Sequence, residues 1–435
     1  MKLFEATAFI AASSLAHSLH DHSVHQQAPD HTHQHNKAVD NASYVNGDGI
    51  TGDAHEEHPW THSTPCVLGS TGEELCVFAD ADFAQGRGIA LVTTRERANY
   101  LATKSAFTDP QSVSRLNQED LVVNIPHKYE VSEVKGKGMG MVATDFIWRG
   151  EQILVNTASL MVDYRAFESL EDDEHKELQA RAADALPEAH RAALLRLSTH
   201  VETNLSYVAK VDRVVTTNGF DIDPDTGDVE QEAAFLVLFS ETSRANHDCR
   251  PNADYYFDHA TMAHRIYAMR DISPGEEITI SYINTMRPRA ERQERLKEWG
   301  FTCTCPLCSA PPAVVAASDG RIDLANELFL ELQNYLPESR GSPQMAELVI
   351  SLFEQEKLWS FINGAFTLAA LEYAGAGEPW MAIKYASLSL EWSILSAGPD
   401  SSDAIDMGKL AKDPQGHWSW MLRAKKRLES KAGGK

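Results

Sequence analysis

No stretch of this chain approaches the roughly 18 consecutive apolar residues of a membrane-crossing helix, so no membrane span is expected. Basic side chains are also in deficit: 39 Lys plus Arg face 63 Asp plus Glu, a formal charge of −24. That balance argues against direct binding of a nucleic-acid backbone and is compatible with a basic protein partner. Cysteine is scarce, six residues in 435. What is present is ordinary for a globular protein: 43% hydrophobic residues and enough length for two or three domains.

The N-terminus reads MKLFEATAFIAASSLAHS. Lys2, an apolar run to Ala16 and the small pair Ser14-x-Ala16 give residues 1–18 the form of a secretory signal peptide. Glu5 inside the apolar run argues against it and leaves an amphipathic leader as the other reading. Residues 19–62 hold most of the ten histidines found between His17 and His62, out of 18 in the chain. With few large apolar residues this segment cannot bury enough to fold and reads as a disordered linker; loose binding of transition metals by imidazole is its functional reading.

Order is expected from about Trp60. FAQGRGIALVTT (83–94) and EVKGKGMGMVAT (133–144) each read as a strand entered through a tight Gly-x-Gly turn. Residues 165–200 switch to Ala, Leu and Glu at helical spacing, and Pro187 opens a second helix there. HRIYAMRDI and EEITISYI are strands separated by the turn Ser273-Pro274-Gly275. RAERQERLKEWG is a charged helix closed by Gly300. Residues 315–432 carry amphipathic hairpins whose Trp and Phe stripe is most simply a core. The expected divisions are 63–125, an N-terminal segment packing on the next unit; 126–285, mixed strands with the helical insertion; 286–312, a cysteine-rich piece; and 315–432, an all-helical domain.

Cys303, Cys305 and Cys308 form a Cys-x-Cys-x-x-Cys cluster. A structural zinc takes four ligands at about 2.3 Å, so three cysteines leave one position open. Cys249, in RANHDCRPN (244–252), is the candidate nearest in sequence. The competing reading is a disulfide with one thiol left over, although Cys-x-Cys is a poor disulfide and a good chelate arm. Cys66 and Cys76 make a separate pair whose bonding the sequence leaves open. Glu276 and Glu277 invite a carboxylate-pair reading; as neighbours on a strand they point to opposite faces and read better as turn and strand-edge contacts.

Four elements occur in order: KGKGMGMVA (135–143), RANHDCRPN (244–252), PGEEITISY (274–282) and CTCPLC (303–308). Together they resemble the motifs of SET-domain protein-lysine methyltransferases over roughly 126–312. The helical insertion and helical C-terminus resemble the branch that also carries MYND fingers, yet the insertion contains no cysteine, so no MYND finger is expected. The resemblance implies an α+β fold: a SET-type β-fold with a helical insertion and a post-SET zinc cluster, then a helical-hairpin domain. It implies S-adenosyl-L-methionine as cofactor, lined by Lys135, Gly136, Lys137 and Gly138, held by Asn246 and His247, helped by Asn218, and packed by Phe301 on the adenine. Tyr282 would be the catalytic residue and also touch the cofactor. Cys249, Cys303, Cys305 and Cys308 would bind a structural Zn2+. Two departures stand out: Asp248 where the pattern often has a small hydroxyl residue, and ITISY without an aromatic two residues before its Tyr.

The resemblance thus implies transfer of a methyl group to a lysine of a protein substrate, histone or other basic protein, by a monomer. A SET-fold scaffold with weak or absent transfer is the alternative. A secreted metal-binding protein is a third, motivated by the leader and the sequons at Asn41 and Asn204. Reduced zinc thiolates and this cofactor belong to the cytoplasm or nucleus, whereas the leader points to the secretory pathway.

Overall fold

A computed structural model describes residues 59–60, 62–63, 66–109, 112–113, 127–200, 204–222, 235–336 and 338–433. The signal-like leader, the histidine-rich segment except its last few residues, and the Asn41 sequon lie outside the described residues.

The largest sheet collects strands from far apart in the chain. Short strands His62–Ser63 (β1) and Val67–Leu68 (β2) flank Glu74–Asp80 (β3), which pairs antiparallel with Ile89–Thr94 (β4). β4 then runs parallel to Leu160–Asp163 (β8), with Ala90 opposite Leu160. Phe235–Leu238 (β10) and Phe220–Ile222 (β9) complete the order β1-β3-β4-β8-β10-β9, with β2 on β3. These strands read as near-continuous apolar runs because both faces of the sheet are covered. One face packs on helices Asp172–Asp184 (α3) and Tyr207–Asn218 (α5); the other holds Phe78, Phe83, Phe235 and Phe239. Helix Arg95–Ala102 (α1) packs on the phenylalanine face, and Tyr164–Ser169 (α2) and Glu188–Leu194 (α4) join the face of α3 and α5. Arg97 of α1 reaches Asp163 at 2.6 Å, and Thr93 donates to the same carboxylate at 2.7 Å, so this buried acid is paired as burial demands.

The N-terminal segment therefore shares a sheet with β8 to β10. The register sets Val67 opposite Leu75, which brings Cys66 across from Cys76, and the two are disulfide-bonded with Cα atoms 4.2 Å apart.

Two smaller sheets position the site. Tyr129–Val134 (β5) and Gly138–Ala143 (β6) form a hairpin from Tyr129↔Ala143 to Val134↔Gly138. Glu277–Ile280 (β14) lies antiparallel to β6, and Asn246–His247 (β11) runs parallel to β14, giving the order β11-β14-β6-β5. Ala253–Asp258 (β12), Ala263–Ala268 (β13) and Gln152–Thr157 (β7) form the third sheet.

After helix Arg289–Leu296 (α6) and the cysteine cluster comes a C-terminal helical region: Pro312–Gln333 (α7), Pro343–Gln355 (α8), Ile362–Ala376 (α9), Pro379–Ser396 (α10), Ser402–Lys412 (α11) and Leu422–Gly433 (α12). Pro312, Pro343 and Pro379 each sit at a helix start, where the missing N–H costs nothing. α9 is buried nearly all round, as expected of a central helix, and ends at Gly377 with φ +85°. Its Glu372 is buried and receives Nε of Arg423 from α12 at 2.9 Å. Phe329, Phe353, Phe366 and Trp392 belong to this core, and Met269 and Met286 enter it from the strand region.

Candidate functional site

The segments RANHDCRPN and EEITISY are laid side by side by the parallel β11–β14 pairing, Asn246 opposite Thr279 and His247 opposite Ile280. The ladder continues through other groups. Asp248 N–H donates to Ile280 O at 3.0 Å. The buried Asn252 side chain donates to Glu277 O and accepts from Thr279 N–H, both at 2.8 Å. Tyr282 closes the far end: its hydroxyl donates to Ala245 O at 2.9 Å, and its backbone N–H donates to His247 Nδ1 at 3.1 Å.

That last bond settles the His247 tautomer. Burial pushes its pKa down to about 3, so the ring is neutral, and an accepting Nδ1 leaves the proton on Nε2. Nε2 lies 3.5 Å from Cys249 Sγ and donates toward it. Both ring nitrogens are thus used inside the protein. The resemblance gave His247 to the cofactor; its imidazole links the Tyr282 backbone to the cysteine cluster.

Lys135, Gly136 and Lys137 form the turn between β5 and β6, closed by Lys137 N–H to Val134 O at 3.0 Å. Gly136 and Gly138 adopt φ of +78° and +79°, where side chains are strained. A Cβ at either would meet nothing within 4 Å, so backbone conformation rather than crowding requires these glycines. Crowding appears instead at Gly140, where a Cβ would lie 2.6 Å from Asn246 Nδ2. Glu277 ties turn to crossing: it receives Lys137 Nζ at 2.6 Å and Asn246 Nδ2 at 2.9 Å. Glu276 faces elsewhere and takes Arg270 and the Ser273 N–H, the turn contact read from sequence. Sequence reasoning missed Gly140, the third glycine of KGKGMG, and gave Glu277 a strand-edge contact without its partners Lys137 and Asn246.

Aromatic rings surround Tyr282. His247 is 5.5 Å away between centroids, Trp299 5.9 Å and Phe301 6.4 Å. Phe220 and Tyr255, 5.3 Å apart, join the same apolar cluster. Burial, with the Glu277 charge adding to it, raises the Tyr282 pKa and keeps the phenol protonated. Trp299, Phe220 and Tyr255 were not singled out from sequence, because a lone aromatic in a strand or turn reads as packing. Asn218 is placed differently: its amide donates to Ser198 O and Val214 O at 2.8 and 2.9 Å, holding the end of α5. Its carbonyl accepts from Ser243 Oγ at 3.3 Å, just ahead of the crossing.

Cys249, Cys303, Cys305 and Cys308 are buried with all four sulfurs within 4.8 Å of one another. Tetrahedral zinc with bonds of about 2.3 Å spaces its sulfurs about 3.8 Å apart. Cys249 Sγ lies 3.9 Å from that of Cys303 and 3.6 Å from that of Cys308. The surroundings suit thiolates as well. Cys308 N–H points at Cys305 Sγ at 3.4 Å, and Gln293 clamps the Cys303 backbone through bonds of 2.8 and 3.0 Å. Arg292 is fully buried, with Nε and Nη2 lacking any nitrogen or oxygen partner among the described residues. Burial disfavours its charge, but the Cys249 and Cys308 sulfurs beside it more than offset this and raise its pKa. Four thiolates on one divalent cation carry the net negative charge that such a guanidinium needs. The donor set fits zinc.

A cleft of about 520 Å³ opens beside the site, lined among others by Lys137, Asp248, Leu307 and Arg321. Asp248, the departure noted in sequence, faces it with Oδ1 accepting from Arg250 N–H at 2.8 Å. Burial pushes its pKa up to about 6.

Comparison with known proteins agrees with the motifs. Residues 138–283 match the SET domain family. "Histone-lysine N-methyltransferase set5" of Schizosaccharomyces pombe is 25% identical over 66% of this chain and 85% of its own length. "Histone-lysine N-methyltransferase SMYD1" of Homo sapiens is 31% identical over 24% of this chain and 23% of its own. The SET and MYND domain-containing protein DDB_G0292454 of Dictyostelium discoideum is 39% identical over 22% and 28%. The chain thus spans about a quarter of the length of the latter two relatives. Motif order, strand crossing and family match thus agree on a SET domain over residues 138–283.

Proposed function

We propose that the chain is an S-adenosylmethionine-dependent protein-lysine N-methyltransferase with a structural zinc. The observation that carries this reading is the crossing itself: the Lys135–Gly138 turn, Asn246, the Tyr282 phenol and the four-cysteine cluster converge within one small β-structure. The relatives' names, histone-lysine methyltransferases among them, support it. S-adenosylmethionine, when bound, supplies a methyl group on a sulfonium to a neutral amine.

The protein's part is alignment and exclusion of water. Lys137 and Asn246, both fixed by Glu277, present a polar edge beside the glycine turn. Phe301 packs near His247 and Tyr282 with centroids 6.2 and 6.4 Å away, and would cover the adenine. Tyr282 keeps its hydroxyl proton and donates it to Ala245 O, which would leave its oxygen lone pairs free to orient the reacting amine and methyl. Trp299 and Tyr255 would complete an apolar channel for the lysine side chain. Cys249, Cys303, Cys305 and Cys308 would hold the zinc that fixes Phe301. The chain's −24 charge suits a basic protein substrate.

The test is transfer of labelled methyl groups from S-adenosylmethionine to purified proteins, histones included, compared with Tyr282→Phe. Loss of alignment should lower transfer by about 100-fold or more in the variant. Transfer that persists undiminished in Tyr282→Phe overturns the assignment of that residue, and no transfer to any protein by the native chain overturns the function.

A further inference from the structure

One buried charged network outside the site reaches into it from the C-terminal helical region. Glu356 follows α8 directly and is 5% exposed. Its carboxylate receives Ser318 Oγ at 2.5 Å and Arg321 Nε at 2.6 Å, both from α7. Its third donor comes from the other part of the chain, Arg250 Nη2 at 2.8 Å. Arg250 in turn gives Nη1 to Cys249 O at 2.7 Å, and its N–H is the one held by Asp248. The run from Asn246 to Arg250 is thus clamped on two sides, by β14 on one and by Glu356 on the other.

Neither half of this network explains itself within its own region. Arg321 keeps 34% of its side chain exposed and can be hydrated without Glu356, and Ser318 beside it is an uncharged hydroxyl. A guanidinium from the motif loop, with side-chain exposure of 9%, has no such choice and depends on the carboxylate it meets. Removing that carboxylate leaves Arg250 charged, buried and unpaired, and the cheapest relaxation is for the loop to swing Arg250 outward. That movement carries Cys249 O and the backbone of Asn246 to Asp248 with it.

We propose that Glu356 is a positioning residue for the cofactor- and metal-binding segment 246–249, acting through Arg250, so that the helical region sets the affinity of the cofactor pocket. This rests on the functional reading above. A ligand or partner that disturbs the α7–α8 end of the helical region would be felt at the cofactor through the same pair.

The test uses the full chain and two substitutions of equal character. Glu356→Gln removes the charge from this network, and Glu372→Gln removes it from the equally buried Glu372–Arg423 pair, which touches no part of the crossing. S-adenosylhomocysteine affinity is measured by calorimetry and amide exchange of residues 246–252 by mass spectrometry, alongside the melting temperature. The expected result is an affinity loss of tenfold or more and faster exchange in Glu356→Gln, with Glu372→Gln melting earlier but retaining both properties. Equal effects in the two variants, or no effect on 246–252 in Glu356→Gln, overturn the proposal. If the native chain takes up no S-adenosylhomocysteine, the functional reading fails, and the exchange comparison still decides the positioning role. If Glu356→Gln does not fold, Arg250→Lys serves: one ammonium cannot hold Glu356 and Cys249 O in the same geometry, and the same contrast with Glu372→Gln is expected.

Discussion

Replacing Cys249 by alanine should loosen metal, lid and pocket together. Cys249 is distant in sequence from the other three ligands, and its sulfur sits 3.9 and 3.6 Å from those of Cys303 and Cys308. A structural zinc contributes about 10–16 kcal/mol of apparent folding free energy, so one of four comparable ligands accounts for about 3 kcal/mol, or roughly 100-fold in zinc affinity. Three further contacts change with it. His247 Nε2 loses the sulfur it donates toward, buried Arg292 faces a cluster with less negative charge, and the bond between the Cys249 residue and the 303–308 loop disappears. Phe301 stands two residues before Cys303 and should lose its fixed position. The assay is competition for zinc with a chromophoric chelator, followed by calorimetry with S-adenosylhomocysteine. Zinc binding weakened by about two orders of magnitude, with cofactor binding lost in parallel, is the expected outcome. A zinc-free protein that binds the cofactor as the native one does would refute the coupling.

Gly140→Ala places a methyl group 2.6 Å from Asn246 Nδ2 and 2.8 Å from Val134 Cγ2, so overpacking of about 1–3 kcal/mol and a displaced Asn246 should appear as a lower melting temperature and weaker cofactor binding. Glu277→Gln keeps an acceptor for Asn246 but leaves the Lys137 ammonium without its counter-charge; a cofactor affinity lower by about tenfold, corresponding to about 1.4 kcal/mol, should be seen in the same titration. Asp254 is held up to about 7 by burial, with hydrogen bonds from Tyr255 and Ser360 offsetting only part of this. Its folded pKa lies above the unfolded value near 4, so the folded state binds the extra proton and stability falls as pH rises from about 4 through 7. Asp254→Asn should therefore gain on the order of 2 kcal/mol at pH 8, after allowance for partial exposure, and almost nothing at pH 4, as read by denaturant unfolding at both values.

Local chemistry made several features legible. The Gly-x-Gly turns were readable because positive φ at Gly136 and Gly138 is a property of the residue itself. Pro187 announced a helix start for the same kind of reason, since the missing N–H acts within one turn. Alternation along a strand correctly separated Glu276 from Glu277. It could not say that Glu277 meets Lys137 and Asn246, because those partners lie 140 and 31 positions away. The need for glycine at Gly140 was not legible, because the crowding there depends on what another strand brings up against it.

The sequence by itself determined the motif order, the alternation of strand and helix, and the set of cysteines able to gather, all of which depend on residue type and short spacing. Only the tertiary structure decided that the N-terminal strands enter the central sheet through β4 and β8, that Cys66 bonds to Cys76, and that both His247 nitrogens are spent inside the protein. Each of these rests on strand register, where one residue of slip would turn every side chain to the opposite face. The stretch RANHDCRPN shows the division within nine residues. The three cysteines at 303, 305 and 308 marked Cys249 as a candidate ligand, and the fold alone brought Arg250 to a carboxylate 106 positions further along the chain.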